Sequence, residues 1–129
     1  MALDFVSTDQ APAAIGPYSQ AVASAGLLYT SGQTGLDPAT GSLAAGGFEA
    51  QADQAIDNML AVLAAAGGAP ERLARVTVYI VGIENWSRFN AVYASRLPNN
   101  RPARTIVPVS ELHNGFLVEI DAVAFLDED

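Results

Sequence analysis

Two carboxylates near the end of the chain are the side chains best placed for acid-base chemistry. Residues 116–126 predict a β-strand, and its alternation puts Glu119 and Asp121 on one face, roughly 7 Å apart. On that face the two acids lie among Leu117, Val123 and Phe125. Apolar neighbours desolvate a carboxylate and raise its pKa, which suits it to acid or base catalysis. The alternative is a half-exposed face on which both acids are simply hydrated.

Two arginines come just before this strand, in the segment Arg-Pro-Ala-Arg-Thr at 101–105. A guanidinium grips a carboxylate through parallel hydrogen bonds, each contributing about 1.5–3 kcal/mol. Ala103–Val109 predicts a strand that tolerates Pro108 only near its end or at a sheet edge. If this strand neighbours the last one, Arg104 and Glu119 could hold an anionic substrate and a water between them. A purely structural ion pair between the two is the alternative.

The composition excludes several classes of function. The formal charge is -8, from 14 acidic and 6 basic residues, and every basic residue is arginine. Such a field repels nucleic acid. Without cysteine or lysine the chain has no thiolate nucleophile or Schiff-base lysine, and the single His113 cannot form a multi-histidine metal centre. We therefore expect no metal and no cofactor.

The chain's length and its N-terminal segment indicate one cytoplasmic domain spanning residues 1–129. Met1–Asp9 has no basic segment typical of a secretory signal, and no apolar run approaches the roughly 20 residues that span a membrane. We expect no membrane partner.

The elements that would position the candidate residues can be read from turns and periodicity. Residues 21–33 predict a hairpin turning at Ala25 and Gly26, and a second turn follows around Asp37–Gly41. A helix over Phe48–Ala66 should end at Gly67 and Gly68. The apolar stripe of this helix comprises Ala52, Ala55, Ile56, Met59, Leu63 and Ala66. Its opposite face is polar and comprises Gln51, Asp53, Gln54, Asp57 and Asn58.

A second helix and two further strands complete the predicted architecture. Arg75–Val81 predicts a strand, and a helical stripe follows that we take as core: Trp86, Phe89, Tyr93 and Leu97. In the last strand the residues expected to face the core are Phe116, Val118, Ile120, Ala122 and Ala124. The order of elements predicts an α+β fold with two helices packed on one face of a single sheet.

Seven segments, in order and spacing, resemble the Rid (reactive-intermediate deaminase, YjgF-type) family. They are APAAIGPYSQ at 11–20, YTSGQTGLDPATG at 29–41, the helix with Gln51, Ala55, Asp57 and Asn58, the strand 76–81, FNAVY at 89–93, PART at 102–105 and LVEIDAVA at 117–124. The resemblance covers nearly the whole chain.

The resemblance implies a chorismate-mutase-like α+β fold and a homotrimer with three clefts between subunits. It also implies hydrolysis of 2-imino and 2-enamino acids, of the 2-aminoacrylate and 2-iminopropanoate type, to 2-oxo acids and ammonia. By motif, Arg104 matches the arginine that binds the substrate carboxylate and Glu119 the glutamate that positions water. Tyr18 matches the tyrosine lining the cleft, Gly32 the backbone position near the substrate nitrogen, and Thr105 the hydroxyl residue beside the arginine.

The chain also departs from the family pattern. Ile106 stands where deaminating members often have cysteine, and we expect it to enclose the substrate side chain with Tyr18. His113 replaces the usual proline before the last strand, and Gly35 stands where many members have proline. The loop between Tyr93 and Arg104 is shorter than is typical. These departures bear on substrate choice and activity.

Two other functions stay open at this level. The same clefts could bind a 2-oxo acid without catalysis, which would need Arg104 but not Glu119. Some family members are reported to be ribonucleases or translation inhibitors, which the acidic charge disfavours here. We take Asp121 as an interface or structural acid rather than a second catalytic group.

Overall fold

The computed structural model describes residues 2–126, which form a mixed seven-stranded sheet and a separate two-stranded hairpin, with two helices on one face of the large sheet. The strands are β1 (Asp4–Val6), β2 (Ala21–Ser24), β3 (Leu27–Thr30), β4 (Gln33–Thr34), β5 (Leu36–Asp37), β6 (Ser42–Leu43), β7 (Leu73–Val81), β8 (Ala103–Val109) and β9 (Val118–Phe125). The helices are α1 (Phe48–Ala65) and α2 (Trp86–Arg96). Within the described range, neither is long and apolar enough to cross a membrane.

The last strand of the chain lies in the middle of the sheet. The strand order is β1-β2-β3-β9-β7-β8, and β4 also pairs with β9. All these pairs are antiparallel except β7–β8, where α2 supplies the crossover that a parallel pair requires. β8 is therefore an edge strand, which accommodates Pro108. The predicted hairpin is confirmed, with Ala25 and Gly26 at positive φ in its turn.

The core forms between the helices and one face of the sheet, as the alternation predicts. On β9, Val118, Ile120, Ala122 and Ala124 are buried, and Val76, Val78 and Ile80 of β7 lie beside them. The apolar stripe of α1 covers this face, and Ala52, Ala55, Ile56 and Met59 are fully buried. The predicted α+β fold is confirmed.

The predicted polar face of α1 is wrong at two positions, because Gln51 and Asn58 are buried. The Gln51 side-chain oxygen accepts a hydrogen bond from the Leu117 backbone N–H at 2.9 Å. The Asn58 amide donates to the carbonyls of Thr34 and Leu36 at 2.9 and 2.7 Å. Side-chain amides can satisfy backbone groups that the sheet leaves unpaired, so helical periodicity alone misassigns them. Together they fix the segments that enter β4, β5 and β9.

Gly35 allows this close approach of the sheet to α1. A Cβ atom at position 35 would lie 2.8 Å from the Gln51 Cα, too close for any side chain. Gly35 thus lets the backbone between β4 and β5 lie directly on α1.

α2 packs through three of its four predicted core residues. Phe89, Tyr93 and Leu97 are buried, whereas Trp86 retains 38% exposure, so its assignment to the core is wrong. Trp86 is the first residue of the helix, where the stripe runs past the edge of the core.

Ion pairs join the two helices at their exposed edges. Arg88 binds Glu49 at 2.6 Å, and its hydrogen bond lowers the pKa of Glu49 to about 2. Arg96 binds both Asp53 and Asp57. Because these pairs are exposed to solvent, they orient the helices more than they stabilise the fold.

Replacing Asn58 with alanine should destabilise the protein by about 2–4 kcal/mol, because two partly buried carbonyls lose the donor that the fully buried Asn58 amide supplies. Urea unfolding at matched protein concentration measures the loss. Asn99→Ala makes the same chemical change at an exposed position and should shift stability by less than about 0.5 kcal/mol. Equal effects of the two substitutions would contradict a structural role for the Asn58 amide.

Candidate functional site

A pocket of about 710 Å³ surrounds the carboxylate of Glu119. Three predicted site residues meet there: Glu119 from β9, Gly32 just before β4, and Tyr18 from the loop before β2. Other lining residues include Ile15, Ser31, His113 and Phe116. The volume suits a small organic ligand. Glu119 is the one carboxylate among the lining residues.

Gly32 lies directly against the Glu119 carboxylate. A Cβ atom at position 32 would come 2.0 Å from Glu119 Oε2, so no larger residue fits without displacing the acid. The register explains the approach, because Thr34 of β4 pairs with Glu119 and extends the chain from Gly32 alongside β9. The backbone at Gly32 and the carboxylate therefore face the same small volume.

Buried Gln20 holds the loop that carries Tyr18. Its side-chain oxygen accepts from the Thr8 N–H at 2.7 Å, and its amide donates to the Thr8 and Pro12 carbonyls at 3.0 and 2.7 Å. Its backbone carbonyl accepts from the Ser31 N–H at 2.8 Å. The loop and the Ser31–Gly32 segment are thus tied together, which places Tyr18 at the pocket.

His113 lines the same pocket, although the sequence suggested no role for it. It lies in a short 3₁₀ turn before β9, with its ring edge-on to Phe116 at 5.1 Å between centroids. The sequence feature that could have indicated His113 is its position before the last strand, where the family pattern has proline.

Arg104 lies in a second depression, of about 530 Å³, beside α2. Its guanidinium donates to Asn90 Oδ1 at 2.7 Å and lies 4.8 Å from the centroid of the Tyr93 ring. Burial raises the pKa of Tyr93, while the positive charge of Arg104 acts in the opposite direction. Both partners come from the FNAVY segment, which sequence reasoning used as a family motif without assigning it to the arginine.

The sequence allows Arg104 and Glu119 to lie on neighbouring strands, but this arrangement is wrong. β7 lies between β8, which carries Arg104, and β9, which carries Glu119. The two residues also lie on opposite faces of the sheet. Arg104 pairs with buried Val76 and so faces the helices, whereas Glu119 pairs with Tyr79 on the face without helices. A direct Arg104–Glu119 ion pair within one chain is therefore excluded.

The remaining predicted residues lie apart from both pockets. Thr105 points to the face without helices and accepts a hydrogen bond from Arg75 at 2.8 Å. Ile106 pairs with Val78 and belongs to the hydrophobic core, with 8% exposure. Neither lines the pocket of Glu119 or that of Arg104.

Asp121 shares the face of Glu119 but not its pocket. It pairs with Thr77 of β7, and burial raises its pKa, while the charge of Arg75 acts to lower it. The two acids that the alternation places together therefore differ: one lines a pocket and the other lies beside Arg75.

The face without helices carries a row of apolar side chains across four strands. Cross-strand pairing aligns Phe5, Val22, Tyr29 and Val123, and Phe125 pairs with Leu27 nearby. Phe5, Tyr29 and Phe125 are 67%, 52% and 49% exposed. Contiguous exposed apolar surface of this kind is typical of a protein interface.

Residues 2–126 contain no group of three or more His, Asp or Glu side chains that could hold a metal ion. The groups that the two pockets present are a carboxylate, guanidinium groups, phenols, an imidazole and backbone amides.

Comparisons with known proteins extend over nearly the whole chain. A family model described as Endoribonuclease L-PSP matches residues 8–126. The human protein named 2-iminobutanoate/2-iminopropanoate deaminase is 42% identical over 119 residues, which cover 92% of this chain and 87% of the human protein. A RutC family protein of Pyrococcus horikoshii is 38% identical over 122 residues, covering 95% and 97%. The crystal structure of Yersinia pestis YyfA, described as a protein of unknown function of the conserved Rid protein family, matches with a TM-score of 0.93 and 41% identity, covering 97% of this chain and 100% of that one.

Replacing Asp121 with asparagine should stabilise the protein at neutral pH. A carboxyl whose pKa is raised by folding holds its proton more tightly in the folded state, so stability falls as pH rises from its ordinary pKa of 3.8 through the raised value. Thermal unfolding should therefore show a higher midpoint for Asp121→Asn at pH 7, and the gain should vanish as pH approaches the ordinary value. Asp4→Asn, at an exposed position, is the matched control. A lower midpoint at pH 7 would mean that attraction to Arg75 outweighs burial.

Proposed function

Because the chain belongs to the Rid (YjgF/RidA) family, we propose that it hydrolyses small 2-imino and 2-enamino acids to 2-oxo acids and ammonia. The observation that carries the proposal is the contact of the Glu119 carboxylate with the Gly32 backbone, in one pocket with Tyr18. Similarity to proteins named 2-iminobutanoate/2-iminopropanoate deaminase supports the reaction class.

To hydrolyse an imine, a protein needs to do little more than position a water molecule next to the imine carbon. In the proposed reaction Glu119 accepts a hydrogen bond from a water whose oxygen attacks C2 of the substrate. The C=N π bond breaks as the C–O bond forms, and the nitrogen takes a proton. Loss of ammonia from the resulting carbinolamine, with a proton leaving its hydroxyl, gives the 2-oxo acid. Backbone at Gly32 would steady the nitrogen, and Tyr18 would cover the side chain.

The carboxylate of the substrate requires a cation, and the pocket of Glu119 has no arginine among its lining residues. Arg104 lies on the other face of the sheet, across β7, so one small molecule cannot reach both groups of the same chain. We therefore propose a composite site, with Glu119 from one protomer and Arg104 from the next, in the homotrimer that the family resemblance implies. The exposed row of Phe5, Val22, Tyr29 and Val123 supports such an assembly.

A ribonuclease activity, which the description of the family model names, is disfavoured by charge. The chain carries a net charge of -8, and five of its six arginines contact other side chains. RNA binding relies on cations that contact phosphates, and this protein offers few of them.

Glu119→Gln should reduce kcat for 2-iminopropanoate hydrolysis by about 10²–10⁴-fold, because the amide cannot accept a proton from water. The imino acid can be generated in situ by an amino-acid oxidase. Binding of the product analogue 2-oxobutanoate, followed by thermal shift, should survive in Glu119→Gln and be lost in Arg104→Gln. Glu111→Gln, at an exposed site outside the pocket, is the matched control.

Two results would overturn this assignment. No acceleration over buffer by the wild-type protein would remove the enzymatic function and leave carboxylate binding as the alternative. Full activity of Glu119→Gln would show that another group positions the water.

A mixture of two inactive variants should recover activity if the site is shared between protomers. Co-expressed Arg104→Gln and Glu119→Gln chains that assemble at random into trimers would combine an intact glutamate with an intact arginine in about one site in four. We expect about a quarter of wild-type activity from the mixture. Light scattering should give about 40 kDa, three times the chain mass of 13.4 kDa. No recovery from mixed trimers would contradict a composite site.

A further inference from the structure

The arginines of this acidic protein divide into two groups. Arg88 and Arg96 bind carboxylates between the helices. Arg75 binds Thr105 near Asp121, and Arg72 lies over the Phe125 ring at 5.8 Å. These four contribute to the structure of the protomer.

The other two, Arg101 and Arg104, contact no carboxylate among residues 2–126. Both line the depression beside α2, whose remaining lining residues are all uncharged: Asn90, Tyr93, Ala94, Leu97, Pro98, Asn100 and Pro102. Two like charges close together are unfavourable unless an anion lies between or beside them. Among the residues that the structure describes, no acidic side chain pairs with Arg101 or Arg104, although the chain carries 14 acidic residues.

A second feature of the depression is an unsatisfied donor. The Tyr93 hydroxyl is buried and has no hydrogen-bond partner within the described part of the chain. A buried hydroxyl without a partner is unfavourable, and a ligand or a neighbouring protomer that supplies an acceptor removes that cost. The depression therefore combines two cations with a spare donor.

We infer that Arg101 is a specificity-determining residue that binds a second carboxylate, so that the preferred substrates are 2-imino dicarboxylic acids, the imines of acidic amino acids. The inference rests on the proposed function, in which Arg104 binds the carboxylate next to the imine carbon. Arg101 is three residues earlier, so its Cα is at most roughly 10 Å from that of Arg104. Pro102 lies between them and restricts the backbone there. Arginine suits this role because its planar fork binds a carboxylate in a bidentate manner.

The test compares two substrates in four proteins. Glutamate oxidase supplies 2-iminoglutarate and an alanine-oxidising enzyme supplies 2-iminopropanoate, with wild type, Arg101→Gln, Arg101→Lys and Arg88→Gln. Arg101→Gln should lower the ratio of kcat/KM for 2-iminoglutarate over 2-iminopropanoate by about 10–100-fold, mainly through KM. Arg101→Lys should retain part of the preference because it keeps the charge. Arg88→Gln removes the same charge from a residue that does not line the depression and should keep the ratio.

Binding of the 2-oxo products separates failure of this inference from failure of the proposed function. Calorimetry with 2-oxoglutarate and 2-oxobutanoate needs no catalysis, and wild type should bind the dicarboxylate more tightly through Arg101. If wild type hydrolyses 2-iminopropanoate and Arg101→Gln leaves the substrate ratio unchanged, the role of Arg101 is wrong while the proposed function stands. If no imine is hydrolysed, an Arg101-dependent preference for 2-oxoglutarate still supports the second carboxylate site, and equal binding of both acids overturns it.

Discussion

The alternation of side chains between the two faces of one sheet determines on which face the charged groups Glu119 and Arg104 lie. β9 places Glu119 on the face without helices, and β8 places Arg104 on the face that α1 and α2 cover. With β7 between these strands, the two groups are separated by roughly 10 Å of backbone spacing as well as by the thickness of the sheet. A register shift of one residue in either strand would reverse this arrangement, but it would also expose core residues such as Ile120. Burial of the core therefore enforces the separation.

The two faces of the sheet differ in composition: one packs against the helices, and the other carries the Glu119 pocket. The helix face is filled with aliphatic side chains, and the buried amides of Gln51 and Asn58 satisfy backbone groups at the strands that enter the pocket. The other face combines the Glu119 pocket with exposed apolar and aromatic residues, including Tyr29 and Phe125. A protomer built in this way has a pocket wall held by hydrogen bonds and an exposed apolar surface, both of which the proposed site between copies requires.

Charge is distributed in a way that fits an anionic small molecule better than a polymer. Arginines outside the depression are engaged with neighbouring side chains, and Arg104 is held by the neutral partners Asn90 and Tyr93. A guanidinium that is oriented without being neutralised keeps its capacity to bind a carboxylate. The surrounding acidic surface repels polyanions but admits a small acid into a local site, because salt screens the general field within about 10 Å.

The sequence by itself determined both helices, the hairpin of β2 and β3, the strands β7, β8 and β9, the core face of β9 and the family, because apolar periodicity, turn residues and ordered motifs are local properties of the chain. It did not indicate the short strands β1, β5 and β6. It also indicated Tyr18, Gly32 and Glu119, which the fold brings into one pocket. Only the tertiary structure decided that Gln51 and Asn58 are buried, that Trp86 is partly exposed, and that Thr105 and Ile106 lie apart from both pockets. Strand order could not be predicted from the sequence either. It depends on hydrogen bonds between strands that are far apart along the chain, and the order in the sheet differs from the order in the sequence. Insertion of β7 between β8 and β9 therefore determined that Glu119 and Arg104 of one chain cannot meet.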